Sequence, residues 1–188
     1  MLAKTEQETL LALAAESVRY GLEHGHSMPV DSSRYPEPLQ QQGASFVTLT
    51  IDQQLRGCIG TLEPFRPLVE DVAKNAYAAA FRDPRFPPLS PGEYDQLAYH
   101  ISILNPAEPM QFESEADLVR QLRPGIDGLI LSDHGRRGTF LPSVWKSLPN
   151  PAEFLQHLKV KAGFPANYWS DTLKVERYTV QEFGNGEE

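Results

Sequence analysis

Sixteen prolines punctuate the 188-residue chain and limit where regular structure can run. Proline fixes φ and has no backbone donor, so it belongs in turns, at sheet edges and in the first turn of helices. The densest group lies in segment 83–89, Asp-Pro-Arg-Phe-Pro-Pro-Leu, which is unsuited to a regular helix or strand. The sequence therefore predicts a rigid connection there, directly after a helix.

Apolar residues recur at helical spacing in several intervals between these prolines. The patterns predict helices over residues 6–22, 67–81, 114–122 and 151–162, with a shorter one after Ser90. Thr5 and Glu8 have the spacing of a capping box for the first helix. The polar stretch 24–43 is predicted to be a long loop.

Residues of high β-propensity fill most of the remaining intervals. The predicted strands cover residues 46–51, 55–62, 99–104, 126–132, 138–141 and 173–180. Short polar turns at 52–54 and 133–137 join two pairs of them into hairpins. Adjacent hairpins without strict β-α-β alternation predict an α+β fold, with a mainly antiparallel or mixed sheet flanked by helices. The length fits a single domain over residues 1–188.

Composition excludes several classes of protein. A net charge of −8 argues against unspecific binding to nucleic acid. No apolar run approaches the roughly 20 residues that span a membrane, and the N-terminus lacks a secretory pattern, so we expect a cytoplasmic protein. One cysteine excludes an internal disulfide. His24, His26 and Asp31 supply too little for a predicted metal site, and the residues specify no cofactor.

The lone cysteine, Cys58, lies in the segment Leu-Arg-Gly-Cys-Ile-Gly-Thr at 55–61. Strand alternation puts Leu55 and Ile59 on one face, toward the core, and Arg56 and Cys58 on the other. Their Cα atoms would lie roughly 6.5 to 7 Å apart. A guanidinium at that distance favours the thiolate, which makes Cys58 a candidate nucleophile.

Gly57 and Gly60 flank this thiol and indicate a place where something approaches the backbone closely. Nucleophilic catalysis also requires a base, and His100 or His134 are the candidates. The alternative is a packed cysteine that acts as a small hydrophobe. The residues alone leave both interpretations open.

Charged residues outside this segment form two further candidate sites. Asp83 and Arg85, with Arg82 beside them, either bind a ligand from the proline-fixed loop or pair with each other to hold the turn. Arg136 and Arg137 either bind an anion at a hairpin tip or are simply solvated.

Taken together, these motifs resemble the signature of the AMMECR domain family. Segment 55–61 carries the resemblance, with 46–49 and 83–89. It continues through Ile-Ser-Ile-Leu at 101–104, Glu108-Pro109, Asp-Gly-Leu-Ile-Leu at 127–131, Arg-Gly-Thr-Phe-Leu-Pro at 137–142, Val144-Trp145 and Lys-Ala-Gly at 161–163. It covers nearly the whole chain in order.

The resemblance implies an α+β fold with two unequal subdomains, an antiparallel sheet and a cleft near the signature. It also implies partners, a Memo-like protein and a radical-SAM enzyme, as in the AmmeMemoRadiSam system. The positions it marks for ligand binding are Arg56, Gly57, Gly60, Thr61, Asp83, Arg85, Arg137 and Thr139, with Cys58 as the catalytic candidate. No settled activity comes with the family.

Three functions therefore remain open from the sequence. The first is a subunit or accessory factor acting with those partners. The second is a Cys58-dependent enzyme on a small molecule, with His100 as the weaker catalytic candidate. The third is nucleic-acid modification, which requires a basic cleft assembled from arginines that are dispersed in sequence: Arg56, Arg82, Arg85, Arg136 and Arg137.

Overall fold

The structure is a computed structural model that describes residues 1–186. The predicted domain runs to residue 188, and its last two residues lie outside the described part. The chain divides into two compact units: one comprises Met1–Leu104 with the C-terminal residues from Gln181, and the other comprises Asn105–Val180. No helix within residues 1–186 is long and apolar enough to cross a membrane.

The helices and strands alternate irregularly along the chain. The helices are α1 (Lys4–His24), α2 (Glu37–Gln40), α3 (Leu68–Phe81), α4 (Glu115–Gln121) and α5 (Pro151–Lys161). The strands are β1 (Gln42–Ile51), β2 (Gln54–Gly60), β3 (Arg66–Pro67), β4 (Ala98–Leu104), β5 (Glu108–Pro109), β6 (Gly128–Asp133), β7 (Arg136–Phe140), β8 (Lys174–Tyr178) and β9 (Val180–Gly184). Short 3-10 helices cover Ser32–Arg34, Pro91–Gln96 and Pro142–Lys146.

The first unit is built on a sheet with strand order β2-β1-β4-β9, to which β3 adds beside β1. Strand β1 pairs antiparallel with both β2 and β4. Helices α1 and α3 pack on one face of this sheet. Their apolar stripes join the inward residues of the strands in one core, which includes Leu10, Val18, Val47, Leu49, Val72, Ala76 and Ile101.

The other face of this sheet carries the alternate residues of the same strands. In β1 these are Phe46, Thr48 and Thr50, all of them half-buried, whereas Val47 and Leu49 between them are fully buried. This alternation is the expected signature of a sheet with one face on a core. The candidate thiol belongs to the half-buried face.

The second unit is a four-stranded antiparallel sheet of order β5-β8-β6-β7. Its core lies between one face of the sheet and helices α4 and α5, and is formed by residues such as Leu118, Leu129, Leu131, Phe154 and Leu158. The Trp145 ring stacks on Phe154 with centroids 3.8 Å apart. The Trp145 indole N–H donates to the Asp127 carbonyl at 2.7 Å, so its polar atom is satisfied inside the core.

These observations confirm the α+β fold class with antiparallel sheets flanked by helices. Three local predictions were wrong. The first helix begins after Ala3, whose amide donates to the Glu6 carboxylate at 2.7 Å, rather than at a Thr5–Glu8 box. The interval 24–43 contains α2 and the start of β1 rather than one long loop. The last predicted strand is two strands that belong to different sheets.

Candidate functional site

All but the last residue of the signature segment lies on β2, an edge strand of the first sheet. The pairing of β1 with β2 shifts between Leu49 and Thr50, so that Leu49 faces Gly57 while Thr50 faces Leu55. Arg56 is therefore the extra residue of a β-bulge. A bulge re-aims side chains and breaks the simple alternation of faces, which is why the predicted arrangement fails here.

Arg56 was predicted to point away from the core beside Cys58. Because of the bulge, it does not lie exposed there. Its side chain is only 11% exposed, and its Nε donates to the Glu93 carboxylate at 2.8 Å. A second nitrogen donates to the Pro87 carbonyl at 2.8 Å. The guanidinium thus ties the bulge to the proline-rich segment and the 3-10 helix that follows it. Leu55, predicted to be core, is 43% exposed for the same reason.

Neighbouring protein groups occupy the space in which a side chain would lie at both glycines of the signature. A Cβ on Gly57 would overlap the Ala79 carbonyl oxygen, which shows that α3 packs directly on the backbone of β2. A Cβ on Gly60 would overlap the ring of Phe46, its partner on β1. Close packing thus accounts for both residues within the first unit.

The backbone of Cys58 is held by the loop after α3. The Cys58 amide donates to the Asp83 carboxylate at 3.0 Å. The Arg85 guanidinium binds the same carboxylate at 2.7 Å and lies 3.4 Å from the Cys58 carbonyl oxygen. We call these two side chains the Asp83–Arg85 clasp. It satisfies the outward-facing backbone groups of an edge strand without a further strand.

Electrostatics strengthen this clasp. The Arg85 hydrogen bonds, with those from the Cys58 and Arg85 amides, hold the pKa of Asp83 well below its usual range. Hydrogen bonding to Asp83 in turn raises the pKa of Arg85, with a smaller contribution from Cys58. The Asp83 side chain is 2% exposed, whereas that of Arg85 is 55% exposed. Arg85 therefore serves the clasp and still presents a cation to solvent.

The Cys58 side chain lies on the half-buried face of the sheet. The residue directly opposite Cys58 on the neighbouring strand β1 is Thr48, whose hydroxyl donates to the Cys58 Sγ at 3.1 Å. Thr48 also faces His100 on β4, so these three side chains form a row on one face. Thr48 could not be identified from the sequence alone, because only the register shows that it separates the thiol from the imidazole.

His100 is turned toward the far side of this row. Its Nε2 lies 4.0 Å from the Glu182 carboxylate on β9, and its Nδ1 lies against Gly184 of the same strand. The imidazole nitrogens thus face β9, while Thr48 occupies the position next to the thiol. In this arrangement a hydroxyl, that of Thr48, hydrogen-bonds to the Cys58 thiol.

Thr61 belongs to a buried network that sequence reasoning missed. Asp71, fully buried on α3, accepts hydrogen bonds from Thr61 at 2.8 Å, from Ser45 at 2.7 Å and from Arg66 at 2.7 Å. Asn75 donates to Asp71 at 3.0 Å one turn later. Two polar residues four apart on the apolar face of a helix are the sequence signal that would have revealed it.

The remaining predicted residues, Arg137 and Thr139, belong to the second unit. Both lie on β7, two positions apart and hence on the same face. The Thr139 hydroxyl donates to the Leu129 carbonyl at 2.8 Å and lies 3.0 Å from the Tyr178 hydroxyl. Within residues 1–186, no group of three or more His, Cys, Asp and Glu side chains is arranged to hold a metal.

Comparisons with known proteins agree with this architecture. The AMMECR1 family matches residues 11–183. A protein of Methanothermobacter thermautotrophicus is 36% identical over 184 residues, covering 97% of this chain and 95% of the relative. One from Thermotoga maritima is 39% identical over 170 residues, covering 88% and 89% respectively. The crystal structure of the uncharacterized protein PH0010 from Pyrococcus horikoshii superposes with a TM-score of 0.91 at 32% identity, covering 98% of this chain and 94% of that one.

A two-unit α+β protein with a thiol-bearing sheet edge is thus the class that fold and site define. The chain belongs to the AMMECR1 family.

Proposed function

We propose that this protein is a cytoplasmic subunit or accessory factor that acts with a Memo-like protein and a radical-SAM enzyme. Its ligand binds on the half-buried sheet face around the signature, and Cys58 is the group that the subunit contributes there. One observation carries the proposal: the clasp fixes the backbone of Cys58 through both its amide and its carbonyl, while the cysteine itself is only half-buried.

The contacts of the neighbouring residues support this assignment. Arg56, Gly57, Gly60 and Thr61 all have structural partners, and each of those contacts positions the strand that bears Cys58. A functional side chain needs such support from the residues around it. Arg85 adds an accessible cation beside the thiol, which suits a ligand with an anionic group.

The single cysteine makes a direct test possible, because any alkylation of the intact chain reports on Cys58. The protein is combined with the Memo-like and radical-SAM proteins of its own source organism, and complex formation is followed by size-exclusion chromatography. Iodoacetamide is then added, and the intact mass is followed with time. We expect a complex, and slower alkylation of Cys58 within it than in the isolated protein.

Two results would contradict the proposal. One is the absence of a complex under all conditions, including added S-adenosylmethionine. The other is a complex in which Cys58 reacts at the rate of the free protein and Cys58→Ala assembles and functions normally in cells. Cys58→Ser is the matched variant, since it keeps size and polarity but loses the thiol.

A second candidate is an enzyme that uses Cys58 as a nucleophile on a small molecule. The hydrogen bond from Thr48 to Sγ favours it, because a hydroxyl donor stabilises a thiolate. The rate of alkylation against pH tests this candidate. A rate that follows an ordinary thiol, and that Thr48→Val does not change, would argue against it. The third function open from the sequence, nucleic-acid modification, has no such support, since Arg56 and Arg85 are each paired with a carboxylate.

A further inference from the structure

Two histidines lie side by side where helix α1 ends. His24 is the last residue of α1, and Gly25 ends the helix in the left-handed conformation, with φ at 74°. A glycine in that conformation reverses the chain directly after a helix. His26 is thereby brought back beside the last turn, and its ring centroid lies 6.0 Å from that of His24.

The ring of Tyr20 packs against both imidazoles. It stacks on His24, which follows one turn later in the helix, with centroids 3.9 Å apart and 13° between the planes. His26 meets the same tyrosine ring in a T-shaped contact, at 5.4 Å and 69°. Both histidines are nevertheless exposed. An aromatic neighbour therefore orders the two imidazoles at a place that solvent reaches.

Backbone carbonyls determine which ring nitrogen of each histidine carries the proton. The Nδ1 of His24 lies 3.1 Å from the Tyr20 carbonyl oxygen, and the Nδ1 of His26 lies 3.1 Å from the Ser27 carbonyl oxygen. Because a carbonyl oxygen only accepts, each Nδ1 must donate, and in a neutral imidazole Nε2 then has the lone pair. Histidines that bind metal ions commonly donate their other ring N–H to a backbone carbonyl in this way.

The separation of the two rings suits a shared metal ion. A metal–nitrogen bond is about 2.0–2.1 Å long, and Nε2 lies about 1.1 Å from the ring centroid. Two imidazoles on one ion therefore have centroids about 5 Å apart in a tetrahedral arrangement and about 6.3 Å apart in a linear one. The observed 6.0 Å lies within that range. The C-terminal end of a helix also favours a positive charge, because its last carbonyl groups carry partial negative charge.

Asp31, the acidic residue that the sequence places nearby, has other partners. Its carboxylate accepts hydrogen bonds from the Ser33 amide at 3.1 Å and the Ser33 hydroxyl at 2.6 Å, and it lies 3.4 Å from the Arg34 guanidinium. The protein ligands at the end of α1 are therefore the two imidazoles.

We propose that His24 and His26 bind one late first-row divalent metal ion, of the class of Cu²⁺, Ni²⁺ and Zn²⁺, through their Nε2 atoms. Water fills the remaining coordination positions. Imidazole nitrogen suits these ions, whereas Mg²⁺ and Ca²⁺ prefer oxygen ligands. Two histidines in a sequence predict no such site. The chain reversal at Gly25 and the two Nδ1–carbonyl hydrogen bonds are what the structure adds.

The test is a titration of the untagged, full-length, ¹⁵N-labelled protein with Zn²⁺, Ni²⁺ and Mg²⁺. Calorimetry should give a Kd of about 10–100 µM for Zn²⁺ and Ni²⁺ and no binding of Mg²⁺. Long-range ¹H–¹⁵N spectra show which nitrogen binds. We expect Zn²⁺ to shift the Nε2 signals of His24 and His26, and to leave in place those of the other histidines, His100, His134 and His157.

Variants locate the site. His24→Ala and His26→Ala should each weaken Zn²⁺ binding at least tenfold, because each removes one of two protein ligands. His157→Ala is the matched control: it removes an exposed histidine of α5 in the second unit and should leave the affinity unchanged. Cys58→Ser should also leave it unchanged, which separates this site from the thiol. Thermal melts confirm that the variants fold.

Three outcomes would overturn the proposal. The first is no binding of Zn²⁺ or Ni²⁺ with a Kd below about 1 mM. The second is an equal loss of affinity in His24→Ala and His157→Ala, which indicates general binding to surface histidines. The third is a Zn²⁺-induced shift at only one of the two imidazoles, or loss of binding in Cys58→Ser, either of which places the ion elsewhere.

Discussion

The Asp83 carboxylate accepts a hydrogen bond from the backbone amide of Cys58, at 3.0 Å, across 25 positions of sequence. Two parts of the family signature that are far apart in the chain are therefore one structural element. The proline-rich segment 83–89 does not merely connect a helix to the next element, because it supplies the groups that hold the edge of the sheet at the candidate thiol.

Asp83→Asn tests this clasp. The substitution removes the charge that Arg85 binds and should lower the free energy of unfolding by about 2 kcal/mol at pH 7. Since the pKa of folded Asp83 lies below the unfolded value of about 4, the stabilisation is complete at neutral pH, declines below about pH 4 and is lost as pH falls through the folded pKa. Urea denaturation of both proteins between pH 3 and pH 7 measures it. Asp95→Asn, at an exposed position, should show little difference at any of these pH values.

Gly57→Ala tests the contact between β2 and α3. The new methyl group would overlap the Ala79 carbonyl oxygen, a backbone atom that moves only with its helix. Overpacking of this kind should destabilise the protein by about 1–3 kcal/mol. Gly92→Ala is the control, since a methyl group there meets nothing within 4 Å. Equal unfolding midpoints for the two variants would show that the helix does not pack on the strand as described.

Asp71→Asn tests the buried network around Thr61. An amide in place of the fully buried carboxylate leaves the half-buried Arg66 without its ionic partner. Loss of one member of a buried pair costs about 3–5 kcal/mol. Thermal and chemical unfolding measure the effect, with Glu70→Gln on the same helix as a charge-matched control. A loss below about 1 kcal/mol would mean that the network contributes little.

Thr48→Val tests which neighbour affects the thiol. Valine keeps the shape of threonine and removes only the donor to Sγ, so alkylation of Cys58 at pH 7 should slow a few-fold. His100→Ala should leave the rate within a factor of two, because the imidazole is turned toward Glu182. Mass spectrometry of the intact chain measures both rates. The reverse pattern would identify His100 as the base that acts on the Cys58 thiol.

Periodicity and turn chemistry were sufficient to predict most of the fold. The helix after Pro67 and the hairpin through Asp52 were predicted because apolar spacing and turn residues are local signals. The direction of the Arg56 side chain was not predictable in the same way. Its side chain is re-aimed by a bulge, and a bulge depends on how β1 and β2 pair rather than on either strand alone.

The candidate site, like the fold, was predictable from the sequence only in part. The sequence was sufficient to identify three candidate site residues, Cys58, Asp83 and Arg85. Only the structure shows that they are associated through the Cys58 amide. Thr48 escaped notice because it lies in no unusual sequence pattern, and Asp71 because its spacing from Asn75 on the apolar face of α3 was overlooked. Gly57 and Gly60 were interpreted as places where something approaches the backbone closely, and a helix carbonyl and an aromatic ring do so. A glycine indicates close approach, and the sequence does not say of what.

The connection between β4 and β9 has a consequence for biosynthesis. These strands are neighbours in one sheet, yet the whole second unit, Asn105–Val180, lies between them in the chain. The ends of that unit are tied by the Asn105 amide, which donates to the Thr179 carbonyl at 2.8 Å. A ribosome therefore delivers β4 long before its partner, and the nascent first sheet keeps an open strand edge until the whole second unit has been made. Chaperone dependence during translation should accordingly be greatest while the second unit is emerging.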